Sequence, residues 1–449
     1  MTVKVRFAPS PTGKLHLGNI RAALVTWLFA RKNKGHFFLR IDDTDHERSK
    51  EEYVTSIKAD LTWLGLNWDS TARQSERTDR YDELIQKLKD DGRLYPCYET
   101  EDELGLKRKS LMSQGKPPLY DRGSLDLSDE QKAQYEAEGR TPHWRFKLNH
   151  TPIEWHDHIR GPVAFHGGDL SDPVLIRENG TPLYHLCSVI DDIDFGITHV
   201  IRGEDHVANT ATHVQMFEAL GAQVPEFAHY ALLAGKDGGK LSKRLGALSI
   251  ENMRDDLGLE AMAINSVIAK VGTSDNIDAY SDLNALVQEF DFSKFARSIA
   301  KLDDEEVGRI NTKLIHDMSY ETAKPKLEAL GLSGIDEEFW NGVRPNITRL
   351  IDVKEWWDIA RGEIAPAIEG DDVDYTSQAA EQLPSSTWDE TTWDAWIADV
   401  KQSTGRKGKL LFMPLRKALT GMEHGPELRV ILPLIGPEKA TKRLKGTKA

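Results

Sequence analysis

The chain has 449 residues, 39% hydrophobic and 29% charged, a balance that supplies an ample core for a soluble globular protein and excludes disordered, collagen-like and membrane-spanning classes. At roughly 150 residues per domain, that length allows about three domains. With 72 acidic against 58 basic side chains and a formal net charge of −14, the chain as a whole argues mildly against a polyanion partner, so any nucleic-acid contact must come from local basic clusters.

Val3, Val5 and Phe7 alternate with Lys4 and Arg6 and predict a short opening strand, broken at Pro9-Ser10-Pro11-Thr12-Gly13. After His16-Leu17-Gly18-Asn19 the periodicity turns helical, with Ile20, Leu24, Trp27 and Leu28 on one face, as far as Gly35. His36 to Ile41 is an apolar run short enough for a buried strand, and Asp42-Asp43-Thr44-Asp45 follow at once. Strand, helix and strand make a βαβ unit with parallel pairing, whose ligands bind beyond the carboxyl ends of the strands. Both the proline–glycine loop and the aspartates fall there, although Asp43 and Asp45 also read as simple strand-end caps.

Ser49 and Glu52 predict a capping box for a helix carrying Tyr53, Ile57, Leu61 and Leu64 and ended by Gly65; Tyr81, Leu84, Ile85 and Leu88 mark another, ended by Gly92. From Tyr95-Pro96 to about residue 180 the texture changes to Gly, Pro and polar residues, which predicts an inserted domain. Strand-like runs return at Leu183 to Ile190 and at Ile197 to Ile201, where the sheet is expected to resume. A glycine-crowded loop runs from Gly235 to Arg244, and from Ile250 onward the pattern is helical almost throughout, with breaks at Glu369 to Asp374 and Pro384 to Ser386. The C-terminal half is therefore expected to be all-α.

Only Cys97 and Cys187 are present, too few for a disulfide framework or a four-cysteine zinc site. The N-terminus lacks a charged stretch followed by an apolar one, and no run reaches about 18 apolar residues, so the cytoplasm is the expected compartment.

Two loops carry residues suited to phosphate chemistry. Pro9 to Asn19 combines a turn, Gly13, Lys14, His16 and Gly18 just before a helix, where backbone N–H groups and the helix dipole favour anions and Gly18 lets a planar base approach the backbone. An ordinary helix-start turn explains the same residues. Lys240 and Lys243, with Arg244, sit in a flexible loop suited to folding over a phosphate tail and neutralising a departing pyrophosphate; a solvated basic loop is the plainer alternative.

In order and separation, Pro9-Ser10-Pro11-Thr12-Gly13-Lys14-Leu15-His16-Leu17-Gly18-Asn19 and Lys240-Leu241-Ser242-Lys243-Arg244 resemble the two signature motifs of class I aminoacyl-tRNA synthetases. Arg6 to Gly13, Leu39-Arg40-Ile41-Asp42-Asp43-Thr44-Asp45 and Val200-Ile201-Arg202-Gly203-Glu204-Asp205-His206 resemble, more narrowly, the bacterial glutamyl-tRNA synthetases. The similarity continues in Tyr184-His185-Leu186 with Val189-Ile190-Asp191-Asp192, and more weakly in Gly405 to Lys409 and Pro414-Leu415-Arg416.

The resemblance implies an α/β fold: a class I Rossmann-like parallel-sheet catalytic domain over residues 1–92 and 183–250, an inserted α+β acceptor-binding domain over 93–182, and an all-α C-terminal half with a stem-contact domain at 251–325 and an anticodon-binding domain at 326–449. It also implies glutamate–tRNA ligation. ATP, held by Pro9, Ser10, Pro11, Thr12, Gly13, His16, Gly18, Asn19, Lys240, Leu241, Ser242, Lys243 and Arg244, would activate L-glutamate to glutamyl-adenylate plus pyrophosphate, and glutamate would then pass to the 3′-terminal ribose of tRNA(Glu). His16, Lys240 and Lys243 are the expected catalytic residues, acting by positioning and charge stabilisation. Arg6, Ser10, Asp42, Tyr184 and Arg202 are expected to hold glutamate; Arg6 and Arg202 fall at ends of predicted strands facing one crevice, and arginine forks suit carboxylates. The family usually has glutamate at the position of Asp42, so its reach to the amino group is shorter here.

Mg²⁺ is expected with ATP, without identified protein ligands, and no zinc is expected, because Cys97 stands alone where many relatives carry a cysteine cluster. A monomer without membrane contact is implied, and tRNA(Gln) remains open as a second acceptor. Lys107, Arg108, Lys109 and Lys116 read equally as a contact for the tRNA acceptor end and as a solvated helix face. Arg406, Lys407, Lys409, Arg416 and Lys417 offer phosphate contacts, while the tail with Lys439, Lys442, Arg443, Lys445 and Lys448 reads first as a frayed, solvated end. Trp388, Trp393 and Trp396, at helical spacing after a Thr387/Glu390 capping box, read as core. Two other readings are a tRNA-modifying paralogue, which would lack the helical region after residue 325, and a non-enzymatic binding protein, which would have broken motifs.

Overall fold

The opening alternation, the helical stretch and the apolar run form β1 (Lys4–Phe7), α1 (Leu17–Lys32) and β2 (His36–Ile41). β1 and β2 pair in parallel from Lys4↔His36 to Phe7↔Leu39. Helix α2 (Glu51–Trp63) carries the chain to β3 (Ser70–Arg73), which adds in parallel to the other side of β2. Val5, Phe37, Leu39 and Ile41 are fully buried, as a parallel sheet covered on both faces requires. The Ser49/Glu52 capping box does not form. Ser49 N–H donates instead to Asp45 O at 2.9 Å, closing a turn that leaves Lys50 as the N-cap residue with no side-chain cap.

These elements belong to a computed structural model that describes residues 2–239, 249–385, 388 and 391–449. The chain divides into two units, Met1–Asp256 with Ile264–Glu306, and Leu257–Ala263 with Val307–Ala449.

In the first unit, α3 (Thr78–Asp90) buries Tyr81, Leu84, Ile85 and Leu88. The segment beyond it mixes β4 (Leu94–Cys97), α4 (Glu101–Ser113), α5 (Asp129–Ala137), β5 (His143–Phe146), β6 (Pro152–Asp157), β7 (Gly161–His166) and β8 (Val174–Ile176). β4, β5 and β8 form an antiparallel sheet. β6 and β7 form a hairpin, but β6 also pairs in parallel with β10 (Glu226–Tyr230), which pairs in parallel with β9 (His199–Gly203). Two strands of the compositionally distinct segment, β6 and β7, are thus built into the sheet that carries the site.

Leu183 to Ile190, expected as a strand, is instead the start of helix α6 (Tyr184–Asp194), in which Leu186 to Asp192 are all buried. A run buried on every side carries no period that separates strand from helix. Helix α7 (Val207–Ala219) follows β9, and β11 (Leu233–Gly235) follows β10. Lys240, Leu241, Ser242, Lys243 and Arg244 lie outside the described residues. The region after Ile250 departs from the all-α expectation at β12 (Ala300–Leu302), which pairs in parallel with β11; three residues are too few to leave a periodic signal.

The second unit is helical around its own core, with Phe339, Trp340, Trp396 and Ile431 fully buried. Trp393 and Trp396 lie in that core, as expected, on the helix Thr392–Thr404, and the Trp396 indole N–H donates to Ala379 O at 2.8 Å. Thr391 is the N-cap residue of that helix, while Thr387 and Glu390 lie outside the described residues. The tail is not frayed. It ends in a helix, Pro437–Leu444, with Arg443 fully buried and bonded to Leu419 O (2.8 Å), Ala449 O (2.9 Å) and Gly362 O (3.2 Å). Those carbonyls occupy the guanidinium, so Arg443 is a packing residue and not a phosphate contact.

Candidate active site

Beyond the carboxyl ends of β1, β9 and β10 lies a cavity of about 500 Å³ whose walls include Arg6, Pro9, Ser10, Thr12, His16, Gly18, Asn19, Tyr184 and Arg202. An adjoining hollow of about 940 Å³ shares Ser10, Thr12 and Tyr184 and adds Asp42. The fold therefore brings together most of the described residues singled out from the sequence. Pro11 and Gly13 are not among the lining residues.

The loop that shapes one wall is tied down by its backbone. Asp42 N–H donates to Pro9 O and Lys50 N–H to Pro11 O, both at 3.0 Å, which fastens it to the aspartate loop after β2. His16 is the N-cap residue of α1: its Nδ1 accepts from Gly18 N–H, and its own N–H donates to Asn19 Oδ1, each at 3.1 Å. Capping and cavity-lining thus coincide, because the cap fixes the ring while Nε2 stays available. Burial lowers the His16 pKa, so the ring is neutral at neutral pH. A Cβ at Gly18 would stand 3.0 Å from His16 Cε1, so only glycine fits there without displacing the ring.

The other wall carries a set of charges, most of which balance one another. Arg40 is buried and grips Asp42 with both prongs (Nε–Oδ1 2.6 Å, Nη2–Oδ2 3.0 Å) while reaching Asp192 at 2.9 Å. Arg6 Nε also donates to Asp192, at 3.0 Å. Asp191 receives Arg77 at 2.7 Å, Gln74 at 2.8 Å and Tyr81 Oη at 3.1 Å. Three arginines thus meet three carboxylates. The acidic neighbours raise the Arg40 pKa further, against the effect of burial. Asp43, considered as a strand-end cap, accepts from Ser75 N–H (2.8 Å), Ser75 Oγ (2.9 Å) and Arg73 Nε (2.9 Å).

Among the described residues Arg202 has no such carboxylate. Only 6% exposed, it donates from Nε to His229 Nε2 (3.3 Å), from Nη1 to Tyr184 Oη (3.2 Å) and from Nη2 to Thr210 Oγ1 (2.7 Å), with His213 Nδ1 at 3.5 Å. Burial, and then the Arg202 charge, pushes the His185 pKa down to about 4 and lowers that of His213 as well, so both rings are neutral. Burial likewise lowers the His229 pKa, although Asp157 opposes the shift. Neutral His229 gives its Nδ1 proton to Asp157 Oδ2 at 2.5 Å and keeps Nε2 as an acceptor. The result is a buried guanidinium, held in place by neutral acceptors, at the wall of a cavity. Such a charge is costly until an anion joins it.

Sequence reasoning met Arg40 only as part of the Leu39 to Asp45 motif and gave it no role, and it missed Asp157, Thr210, His213 and His229, none of which forms a local motif. It also missed Arg21 on α1, 1% exposed at the cavity wall, which donates from Nη2 to Val271 O (3.1 Å) and has no partner among the described residues for Nε or Nη1. Burial lowers its pKa to about 10.

Cys97 is buried, with Tyr120 Oη 3.6 Å from its sulfur, and burial pushes its thiol up to about 11. Lys107 on α4 is held by Glu99 (3.3 Å) and Asp121 (3.0 Å). In the second unit Arg406 pairs with Asp372, and Lys417 with Glu369 at 2.6 Å.

Residues 2–308 match the family model described as tRNA synthetases class I (E and Q), catalytic domain, and residues 366–448 match one described as an anticodon binding domain. The chain is 54% identical over 446 residues to glutamate–tRNA ligase 1 of Maricaulis maris, covering 99% of this chain and 100% of that one. It is also 54% identical over 454 residues to glutamate–tRNA ligase of Azospirillum brasilense, covering 100% of both. Among solved structures, a glutamate tRNA ligase from Elizabethkingia meningosepticum in complex with its amino acid superposes with a TM-score of 0.85 at 28% identity, over 99% of this chain and 98% of that one.

Proposed function

The chain belongs to the class I tRNA synthetases of the glutamate and glutamine group, and from that membership and the site we propose that it is a glutamate–tRNA ligase. The observation that carries the substrate assignment is Arg202, a buried cation whose hydrogen-bond partners among the described residues are all neutral. A substrate with a carboxylate at the end of its side chain completes that charge balance.

In the first step a carboxylate oxygen of glutamate attacks the α-phosphorus of ATP, forming glutamyl-adenylate as pyrophosphate leaves. In the second, a ribose hydroxyl of the tRNA 3′ end attacks the acyl carbon and AMP leaves. Neither step needs a nucleophile from the protein, so its residues act by placing reactants and stabilising charge. Arg202 and Tyr184 take the side-chain carboxylate, and Arg6, steadied by Asp192, presents its guanidinium to the same cavity. Ser10 stands at the cavity wall to accept from the amino group. Asp42, with both oxygens on Arg40, acts by holding that arginine and meets the amino group only indirectly.

His16 donates from Nε2 to phosphate oxygens, next to the N-terminus of α1. The adenine ring lies along the backbone at Gly18, and Pro9, Ser10, Thr12 and Asn19 line the nucleotide wall, with Pro11 and Gly13 in the same loop. Lys240 and Lys243, flanked by Leu241, Ser242 and Arg244, neutralise the departing pyrophosphate. Asp205 is the one carboxylate among the described residues lining the nucleotide cavity, which suits a Mg²⁺ ion that arrives on ATP and keeps most of its water. The helices of residues 326–449 serve anticodon binding, with Arg406, Lys407, Lys409, Arg416 and Lys417 offered to phosphates. No described helix is long and apolar enough to cross a membrane, and a monomer working in the cytoplasm fits this reading.

The test is acid-precipitable label after incubation with labelled glutamate, ATP and Mg²⁺, using tRNA(Glu) in one reaction and tRNA(Gln) in another. Label on the first alone marks a discriminating ligase and label on both a non-discriminating one; label on neither rejects the assignment.

A further inference from the structure

The sheet that carries Arg202 holds a second group of side chains, at its other end, that the ligase chemistry does not use. His199 opens β9 and Glu226 opens β10, and the two are register partners. His158 follows β6 directly, its backbone N–H on Phe227 O at 2.9 Å. Because β6, β10 and β9 are neighbours in the sheet, topology sets two imidazoles and a carboxylate side by side. The amino ends of β9 and β10 lie opposite the carboxyl ends that face the active-site cavity. His158 Nε2 is 2.7 Å and His199 Nε2 is 3.6 Å from Glu226 Oε2, and the three donor atoms all lie within 4.8 Å of one another.

We propose that His158, His199 and Glu226 form a binding site for one divalent transition-metal ion of the zinc type, with the fourth coordination position open to water. Two imidazole nitrogens and one carboxylate oxygen are a donor set for zinc, cobalt or nickel, whereas magnesium and calcium prefer oxygen alone. Four-coordinate zinc, with bonds of about 2.0–2.2 Å, sets its donors about 3.3–3.5 Å apart. Side-chain shifts of about an ångström bring these three to that spacing.

The surroundings suit the role. His199 Nδ1 lies 2.8 Å from Thr198 Oγ1, and that hydroxyl has Lys4 O at 3.2 Å to receive its own proton. Nδ1–H of His199 can therefore donate while Nε2 keeps its lone pair, the arrangement that fixes ring and tautomer in metal-bound histidines. Without an ion, Nε2 faces the carboxylate at a distance too long for a hydrogen bond. The rings are also wedged in place: His199 lies 4.9 Å from the Phe29 ring, and His158 stacks on Phe292 at 5.7 Å. Glu226 is exposed, and with His199 it lines a hollow of about 390 Å³ through which an ion can enter.

The experiment is titration of the chelator-stripped, full-length protein with Zn²⁺ against a chromogenic zinc indicator, with Co²⁺ absorption as a second readout of coordination. One ion per chain is expected, with affinity falling about tenfold or more in His199→Ala and in Glu226→Gln, and unchanged in Cys97→Ser, which sets the buried thiol aside. Glu226→Gln alters an exposed side chain and tests the site even if His199→Ala fails to fold. Absence of saturable binding in the unmodified protein, or binding that survives Glu226→Gln undiminished, overturns the proposal and leaves a plain His158–Glu226 hydrogen bond.

Discussion

Replacing Arg202 by Met separates the cost of a buried charge from its use. In the absence of substrate the guanidinium is 6% exposed and, among the described residues, has only neutral acceptors. Removing it does not orphan most of them: the Thr210 hydroxyl still has His206 O (3.1 Å) or His229 Nε2 (2.9 Å) to receive its one proton, and His229 keeps Asp157. The unbranched Met side chain refills much of the volume, so the melting temperature should stay level or rise, as it does when a desolvated charge gives way to an apolar side chain. Glutamate, by contrast, loses two charge-assisted hydrogen bonds of about 1.5–3 kcal/mol each, or about 3–6 kcal/mol together, so kcat/KM for glutamate should fall by about 10²–10⁴-fold. Steady-state charging with glutamate as the varied substrate measures the second effect. Thermal melting with and without glutamate measures the first, and the shift that glutamate confers on the unmodified protein should vanish in the variant. A variant that melts several degrees lower while its KM for glutamate is unchanged would make Arg202 a structural residue and refute the substrate assignment built on it.

Lys243→Ala should lower the activation rate by orders of magnitude with little change in melting temperature, and near-normal activation would remove Lys243 from the proposed chemistry. His143 and His185 each have a pKa lowered to about 4, chiefly by burial. Because the unfolded chain binds these protons from about pH 6.5 downward, the stability is complete above pH 6.5 and is lost as pH falls toward 4. The loss is on the order of 1–3 kcal/mol per residue; thermal melts across that interval should show the decline, and His143→Phe should flatten it. Gly425 has φ +118° and a Cβ there would overlap the Trp356 ring, so Gly425→Ala should cost about 2–4 kcal/mol, and an unchanged denaturation midpoint would contradict that packing. If the Arg406 to Lys417 basic residues meet phosphates, KM for tRNA(Glu) should rise steeply with salt, whereas a flat response would point to non-ionic recognition.

Where function depends on local chain, the sequence was readable. The turn from Pro9 to Gly13, the cap at His16 and the parallel pair β1–β2 are each specified within a few residues, by proline and glycine, by N-cap chemistry and by an apolar run. Arg202 was readable as a charge at a strand end, but the reason it stands ready was not. That reason lies in Arg6, Arg40 and Arg77 using up Asp42, Asp191 and Asp192, residues up to 186 positions apart. Pairings over such separations are set by strand order, which no periodicity encodes. The misreading of Leu183 to Ile190 has the same root: α6 is buried on nearly every side, so its helical period is hidden, and Tyr184 reaches the site from a helix start and not from a strand. In the C-terminal tail, charge suggested solvent, yet Arg443 is buried because three carbonyls receive it.

The most direct measurement compares charging of tRNA(Glu) by glutamate and by glutamine, at equal concentration and under the same ATP and Mg²⁺. The two side chains have nearly the same shape and differ in charge, and a buried guanidinium whose described partners are neutral distinguishes them by that charge alone. Glutamate should be preferred by about 10³-fold or more in kcat/KM. Comparable charging by glutamine would contradict the assignment of Arg202 as the anchor of a side-chain carboxylate.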